Sequence, residues 1–305
     1  MNRYLYCLTF ALAGLLHAAE SNLSGPTLGY VYDANQAAAR VVTGIPGSSN
    51  LGAAIATGIQ GAVISPAHNY LLATTGEEKS VVLVTTGDGI RKALPDLLSG
   101  PDLIVLSPKG SAAVLFHSDG SRAQLVRGLP SNPEIAGDFT TYAGAARLAV
   151  SDDAERLLHV TSEGDVYSFT ADGNSRRLSV SKIVAAAFLE DRREALLVQE
   201  ESGAIIESEE MKEIARVPGA SGVVAFSNNR KAVIANKAAR QISVVDLEQG
   251  SVNTIDCSCN PDALQPLAGE SLFRVTELSD GPTWILNAAA PQLQLTFVPA
   301  GGSRE

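Results

Sequence analysis

The chain has 305 residues, 45% of them hydrophobic, and a formal net charge of −10. That length allows one large domain or two small ones, and no Pro- or Ser-rich linker, low-complexity tract or long charge block divides it. The acidic balance argues against nucleic acid or anionic lipid as a partner, because both are held by Lys and Arg that neutralise phosphates. The basic doublets Arg91-Lys92, Arg176-Arg177, Arg192-Arg193 and Arg230-Lys231 stand alone and read as solvated loop charges.

The N-terminus reads as an export signal. Asn2 and Arg3 precede an apolar run at residues 4–16, YLYCLTFALAGLL, and His17-Ala18-Ala19 then offers small residues for cleavage. The run is too short to cross a bilayer as a helix. Cys7 comes too early in it for a lipoprotein site. The expected organisation is a signal peptide at 1–19, one domain at 20–300 and a disordered tail at 301–305. The mature chain should be soluble, monomeric and periplasmic or extracellular, with no membrane insertion after cleavage.

Next comes LGYVYDANQAAARVVTG at residues 28–44, two apolar runs around a polar turn. It resembles QISVVDLEQGSVNTID at 241–256 and so reads as the later strands of a repeat whose earlier strand is missing. Six fuller units follow. Their openings are AVISPAHNYLLAT from Ala62, IVLSPKGSAAVLF from Ile104, LAVSDDAERLLHV from Leu148, AAFLEDRREALLV from Ala186, VAFSNNRKAVIAN from Val224 and ALQPLAGESLFRV from Ala263. Most show three apolar residues, a polar turn and a second apolar run. Aligning them puts Ser65, Ser107, Ser151, Leu189, Ser227 and Pro266 in register, at spacings of 42, 44, 38, 38 and 39 residues. The runs are short, rich in Val, Ile and Leu, and bounded by Gly, Pro, Asn, Asp and Ser, which is the pattern of strands and tight turns. A third strand follows in the units, as in SVVLVTT from Ser80 and QISVVDLEQG from Gln241, and a weaker fourth closes them, as in SVNTIDC from Ser251.

Four short antiparallel strands repeating about every forty residues define a blade of a β-propeller. One blade cannot bury both faces of its sheet, but a ring of blades can. At roughly 39 residues per blade, positions 28–299 give about seven. The expected fold is therefore all-β, a propeller of four-stranded antiparallel blades, with its N- and C-terminal segments side by side.

Residues 226–255 carry a resemblance. Val233-Ile234-Ala235-Asn236 and Ser243-Val244-Val245-Asp246 are similar to the Tyr-Val-Ala-Asn-like strand and the Val-rich strand ending in Asp of secreted bacterial YVTN-type and WD40-like propellers. The likeness is good in this unit and partial from about residue 58 to 300. The Gly-His and Trp-Asp signatures of eukaryotic repeats are not in the sequence. The resemblance implies the fold, and implies little about function, since propellers host binding, scaffolding and several chemistries.

No motif with a built-in mechanism occurs: there is no G-x-S-x-G, H-E-x-x-H, C-x-x-C, phosphate-cradling glycine loop or EF-hand pattern. His68 is placed in a first turn, His117 at the end of a second strand and His159 inside one. The first two then lie on opposite faces of the disc and cannot share a metal site. The innermost strands are wholly apolar. The loops leading into them carry Gln60, Asp102, Arg147, Lys182 and Asp262, the candidate channel-mouth contacts, with mixed signs and no cluster of carboxylates. Such a mouth reads first as solvated loops, suits a protein or a small ligand better than a metal, and no cofactor is expected. Cys257 and Cys259 are candidates for a disulfide, a free pair or a redox or soft-metal pair. On an extended strand their Cα atoms would lie roughly 6.5 Å apart, so bonding needs a bend before Pro261. Trp284, the sole tryptophan, reads as packed between blades, with an exposed binding anchor as the alternative. The leading expectation is a non-catalytic binding or scaffolding propeller. The rival is a hydrolase or lactonase-like enzyme working at the central channel.

Overall fold

The second strands of the repeats are almost unbroken apolar runs, and both of their faces are buried. YLLATT at Tyr70–Thr75 and AAVLFH at Ala112–His117 are buried at every position but the last. The fourth strands are polar and exposed, as in Arg91–Ala93 and Ser175–Arg177. A sheet that is apolar on both faces at its middle needs a cover on each, and in this molecule the cover is the next sheet in a ring.

In the computed structural model, residues 25–269, 271–278, 281–289 and 292–299 are described. The expected signal peptide at 1–19 and tail at 301–305 lie outside them. The described residues form seven antiparallel sheets, each a meander in chain order, and contain no helix long and apolar enough to cross a membrane. Numbered along the chain, the blades span 27–57, 61–93, 103–140, 145–177, 183–216, 222–256 and 265–298. The protein is a seven-bladed β-propeller.

Blades 2 to 7 have four strands, and blade 1 has three among the described residues. A recurrent hydrogen bond identifies which three. In blade after blade, the turn between the second and third strands accepts a bond from the chain as it leaves the blade. Gly100 N donates to Lys79 O at 3.1 Å, Ile183 N to Gly164 O at 3.0 Å and Cys257 N to Arg240 O at 2.8 Å. In blade 1 the same bond runs from Ile59 N to Ala37 O, 3.1 Å, at the turn between Thr27–Asp33 and Ala38–Ile45. These are therefore second and third strands, and Ser48–Thr57 is a fourth, so the likeness of residues 28–44 to 241–256 reads them one strand too late.

The serine turns are equivalent in three of the four places expected. Ser65, Ser107 and Ser151 are buried, and each N–H donates to the carbonyl five residues on, at 3.0 Å. Each hydroxyl in return accepts the N–H of that same residue: Tyr70, Ala112 or Arg156. Ser227 differs. Its turn is two residues shorter, because Phe226 pairs with Lys231 whereas Ile64 pairs with Leu71. Ser227, Asn228 and Asn229 all take positive φ, 56°, 54° and 63°, a conformation that Asn tolerates better than most residues. The register expected for Pro266 is also off by one. Leu267 N donates to Leu272 O at 2.8 Å and so occupies the serine position.

Blade-to-blade packing is continuous around the ring. Leu72 and Leu83 of blade 2 pack with Ile104 and Leu115 of blade 3, and Phe226 and Val244 of blade 6 with Phe273 and Leu286 of blade 7. Blades 7 and 1 close the ring through Leu267, Ile285 and Val298 against Leu28, Val31 and Val42. Ala268 N donates to Leu28 O at 2.7 Å, and the last strand, Gln294–Val298, lies beside Ser48–Thr57.

Candidate functional site: the central channel

The inner strands Gly61–Ile64, Leu103–Leu106, Ala145–Val150, Ile183–Phe188 and Gly222–Phe226, with residues 263–269, surround a central cavity of about 880 Å³. Val63, Val105, Leu106, Ala187, Val224 and Leu264 are only partly buried and face it. The wall is aliphatic because the inner strands alternate between packing into a neighbouring blade and facing the channel, and both sets are apolar. A cavity of this size is in the range of sites for small organic ligands.

One mouth is built from the first turns. Lys109 N donates to Asp152 Oδ1 at 2.8 Å, and Asp191 N to Asp152 Oδ2 at 2.8 Å, so one carboxylate ties blades 3, 4 and 5. The Lys109 ammonium pairs with Asp191 at 2.9 Å. Asn229 exchanges two bonds with the Glu190 backbone, at 2.7 and 2.9 Å. His68 extends this belt across blade 1: its Nε2 lies 3.0 Å from Pro266 O, in blade 7. A carbonyl can only accept, so Nε2 carries the proton and the buried Nδ1 is left without a partner. Burial holds this ring below its ordinary pKa, with the Pro266 bond opposing. Gly29 makes the crossing possible. Its φ is +147°, and a Cβ there would stand 2.9 Å from His68 Cε1 and from Leu267 Cδ2.

Four of the expected mouth residues sit in the loops at the opposite end of the inner strands, and the fifth, Arg147, lies within the strand Ala145–Val150 and not in the loop before it. Gln60 Nε2 donates to Gly76 O at 2.9 Å. Asp102 accepts from the Ser118 hydroxyl and N–H, which lower its pKa, and lies 3.8 Å from His117 Nδ1. Arg147 is exposed. Lys182 takes a positive φ of 59°, and its carbonyl accepts Glu200 N at 2.8 Å. Asp262 Oδ1 accepts Glu277 N at 2.9 Å. The described geometry does not gather the five. The lining instead includes four residues the sequence reading did not select, Lys109, Glu190, Arg274 and Glu277, together with His68.

His159 is fully buried in blade 4, with neither ring nitrogen partnered, its centroid 6.5 Å from Phe116 and 6.3 Å from Phe169. Burial lowers its pKa. Cys257 and Cys259 are disulfide-bonded, with Cα atoms 4.9 Å apart. The strand Val252–Asp256 has already ended there, so the pair sits on a bend rather than at strand spacing. Trp284 packs beside Phe297 on the neighbouring strand at 5.7 Å and rests against the core between blades 6 and 7.

The class is thus a seven-bladed propeller of WD40-like form, and solved structures agree. The chain is similar to a functionally unknown protein from Desulfotomaculum acetoxidans, with TM-score 0.63, 13% identity, 91% of this chain covered and 98% of that one. A catalytically inactive virginiamycin B lyase from Staphylococcus aureus aligns with TM-score 0.57 and 12% identity over 90% of this chain and 88% of that one. The Cps50 (Swd1) β-propeller domain of Myceliophteria thermophila aligns with TM-score 0.57 and 10% identity over 81% and 88%. At these identities the likeness shows the fold alone. No protein-family model and no curated protein matches the chain.

Proposed function

We propose that this is an exported, non-catalytic binding propeller, acting in the periplasm or outside the cell, whose central channel receives the ligand. The channel wall carries this reading. Partly exposed aliphatic side chains around some 880 Å³ gain free energy by losing water to a ligand, and they supply a surface to be covered. The leader-like N-terminus and the resemblance of residues 226–255 to secreted repeats support export. The exposed rims leave room for a protein partner on a monomeric ring. The enzymatic alternative uses the same place, since His68, Lys109 and Glu190 meet at one mouth, and a lyase is among the similar folds.

Native mass spectrometry of protein purified from its own host tests the binding reading. The expected result is a bound small molecule that is lost when Ala187→Trp narrows the channel, with the melting temperature of the variant monitored by circular dichroism. N-terminal sequencing tests export. A mature start near Glu20 is expected, and an intact Met1 in the cytosolic fraction refutes it.

A further inference from the structure

Arg274 stands where blades 2 to 6 each bury an aliphatic side chain. The pairings Ile64–Leu71, Leu106–Ala113, Val150–Leu157, Phe188–Ala195 and Ala225–Ala232 put Leu72, Val114, Leu158, Leu196 and Val233 at one position of the second strand. All five are buried. Pro266–Phe273 puts Arg274 at that position in blade 7. Arg274 is only 7% exposed, and its Nε is buried without a partner. Nη1 reaches Glu277 Oε2 at 3.3 Å, but the Glu277 side chain is itself 65% exposed. Burying a guanidinium against two solvated carboxylates, Glu277 in contact and Asp262 further off, is unfavourable compared with the aliphatic side chains used elsewhere.

The residue borders both the channel and the crevice between blades 7 and 1. It reaches the channel because the inner strand of blade 7 is only Gln265–Pro266 and the first described strand of blade 1 is a second-strand equivalent. Among the described residues, the other lysine or arginine bordering the channel is Lys109, which is half-exposed and paired with Asp191.

We infer that the channel binds an amphipathic carboxylate, with an unbranched alkyl body along the aliphatic wall and the carboxylate paired side-on with the Nε edge of Arg274. This rests on the channel being a binding site. Glu277 occupies Nη1, so the edge formed by Nε–H and the remaining amino group is the one offered. A carboxylate matches that edge with two parallel bonds. The apolar wall excludes a compact polar anion as the whole ligand, and its aliphatic lining suits a flexible chain.

Calorimetric titration of the intact protein with laurate, dodecanol and dodecyl phosphate tests this. Laurate is expected to bind roughly ten-fold or more tightly than dodecanol, the ratio that charge-assisted hydrogen bonds supply. Arg274→Met should remove that preference and leave dodecanol binding unchanged. Glu277→Gln, with its melting temperature monitored because the change removes the Nη1 partner, should tighten laurate binding by freeing the guanidinium. Equal binding of laurate and dodecanol, or laurate binding untouched by Arg274→Met, overturns the inference while the channel reading stands. Tighter binding of dodecyl phosphate than of laurate overturns the carboxylate assignment. If neither laurate nor dodecanol binds, both the inference and the reading it rests on are wrong.

Discussion

Blades 3 to 5 and the seam between blades 7 and 1 solve the same packing problem with different ties. In blades 3 to 5 adjacent turns are stitched by short polar side chains, with Asp152 accepting one backbone N–H from each neighbour. At the seam the ties come from further away. His68 of blade 2 reaches Pro266 of blade 7, and Gln265 Nε2 reaches Tyr30 O. Apolar cores are present in both regions. What differs is that ordinary blades are bonded by residues about forty positions apart, whereas the seam is bonded by residues separated by 198 and 235. A repeat can specify its own neighbour contacts, but closing the ring is a property of the whole chain.

The most severe way to break this comparison is to remove the last strand. Deleting residues 292–299 strips Val298 and its strand from the seam core and should lower the melting temperature by more than roughly 10 °C. Trimming residues 301–305 should have a far smaller effect, and equal melting of the two truncations would mean that the ring is not closed there. Gly29→Ala comes next. The new methyl meets His68 and Leu267 in a backbone conformation that disfavours side chains, so a loss of about 2 kcal/mol in chemical denaturation is expected. At Gly76, which is open but has a φ of +74°, alanine should cost less, about 1 kcal/mol, from backbone strain alone.

Acid should act on the other region. His159 is buried neutral with its pKa held below 6.5, so the unfolded chain takes up a proton more readily than the folded one. The stability is therefore complete above the unfolded value and falls as pH drops below it. His68 is shifted in the same direction and adds to the loss. Thermal melts from pH 7 to pH 5 should show the decline, and His159→Leu should flatten part of it. That variant should also melt slightly higher at pH 7, because it removes two unpartnered polar atoms. The smallest effect is expected from Asp152→Ala, which frees two backbone donors at a partly exposed turn and should cost about 1 kcal/mol by urea denaturation.

The propeller was legible because turn residues and apolar runs recur at a fixed period, and because residues 28–44 read as later strands of a blade, although one strand too late. Register failed where local chemistry changed. Ser227 keeps its sequence place but begins a tighter turn, since Asn228 and Asn229 accept positive φ. Pro266 was aligned one residue early because Leu267 supplies only the backbone half of the serine motif. The site was less legible. Gln60, Asp102, Arg147, Lys182 and Asp262 were chosen by position in the repeat, whereas exposure to the channel depends on how the blades lean together. Arg274 had a visible sign, a charge inside the apolar run SLFRV, and His159 had the same sign in RLLHV. Neither could be tied to the channel or to the core without the pairing of the strands.

The seam also orders events in time. Leu28 is among the first described residues to leave the ribosome, and its carbonyl receives Ala268 N. Until residues 265–268 are made, blade 1 lacks one of its two flanking blades, and its apolar face toward blade 7 stays uncovered. Closing so long a loop carries the largest chain-entropy penalty in the molecule and slows formation of the contact. The nascent protein therefore spends most of its synthesis as an open arc with one sticky end, and that end is where a chaperone would have most to cover.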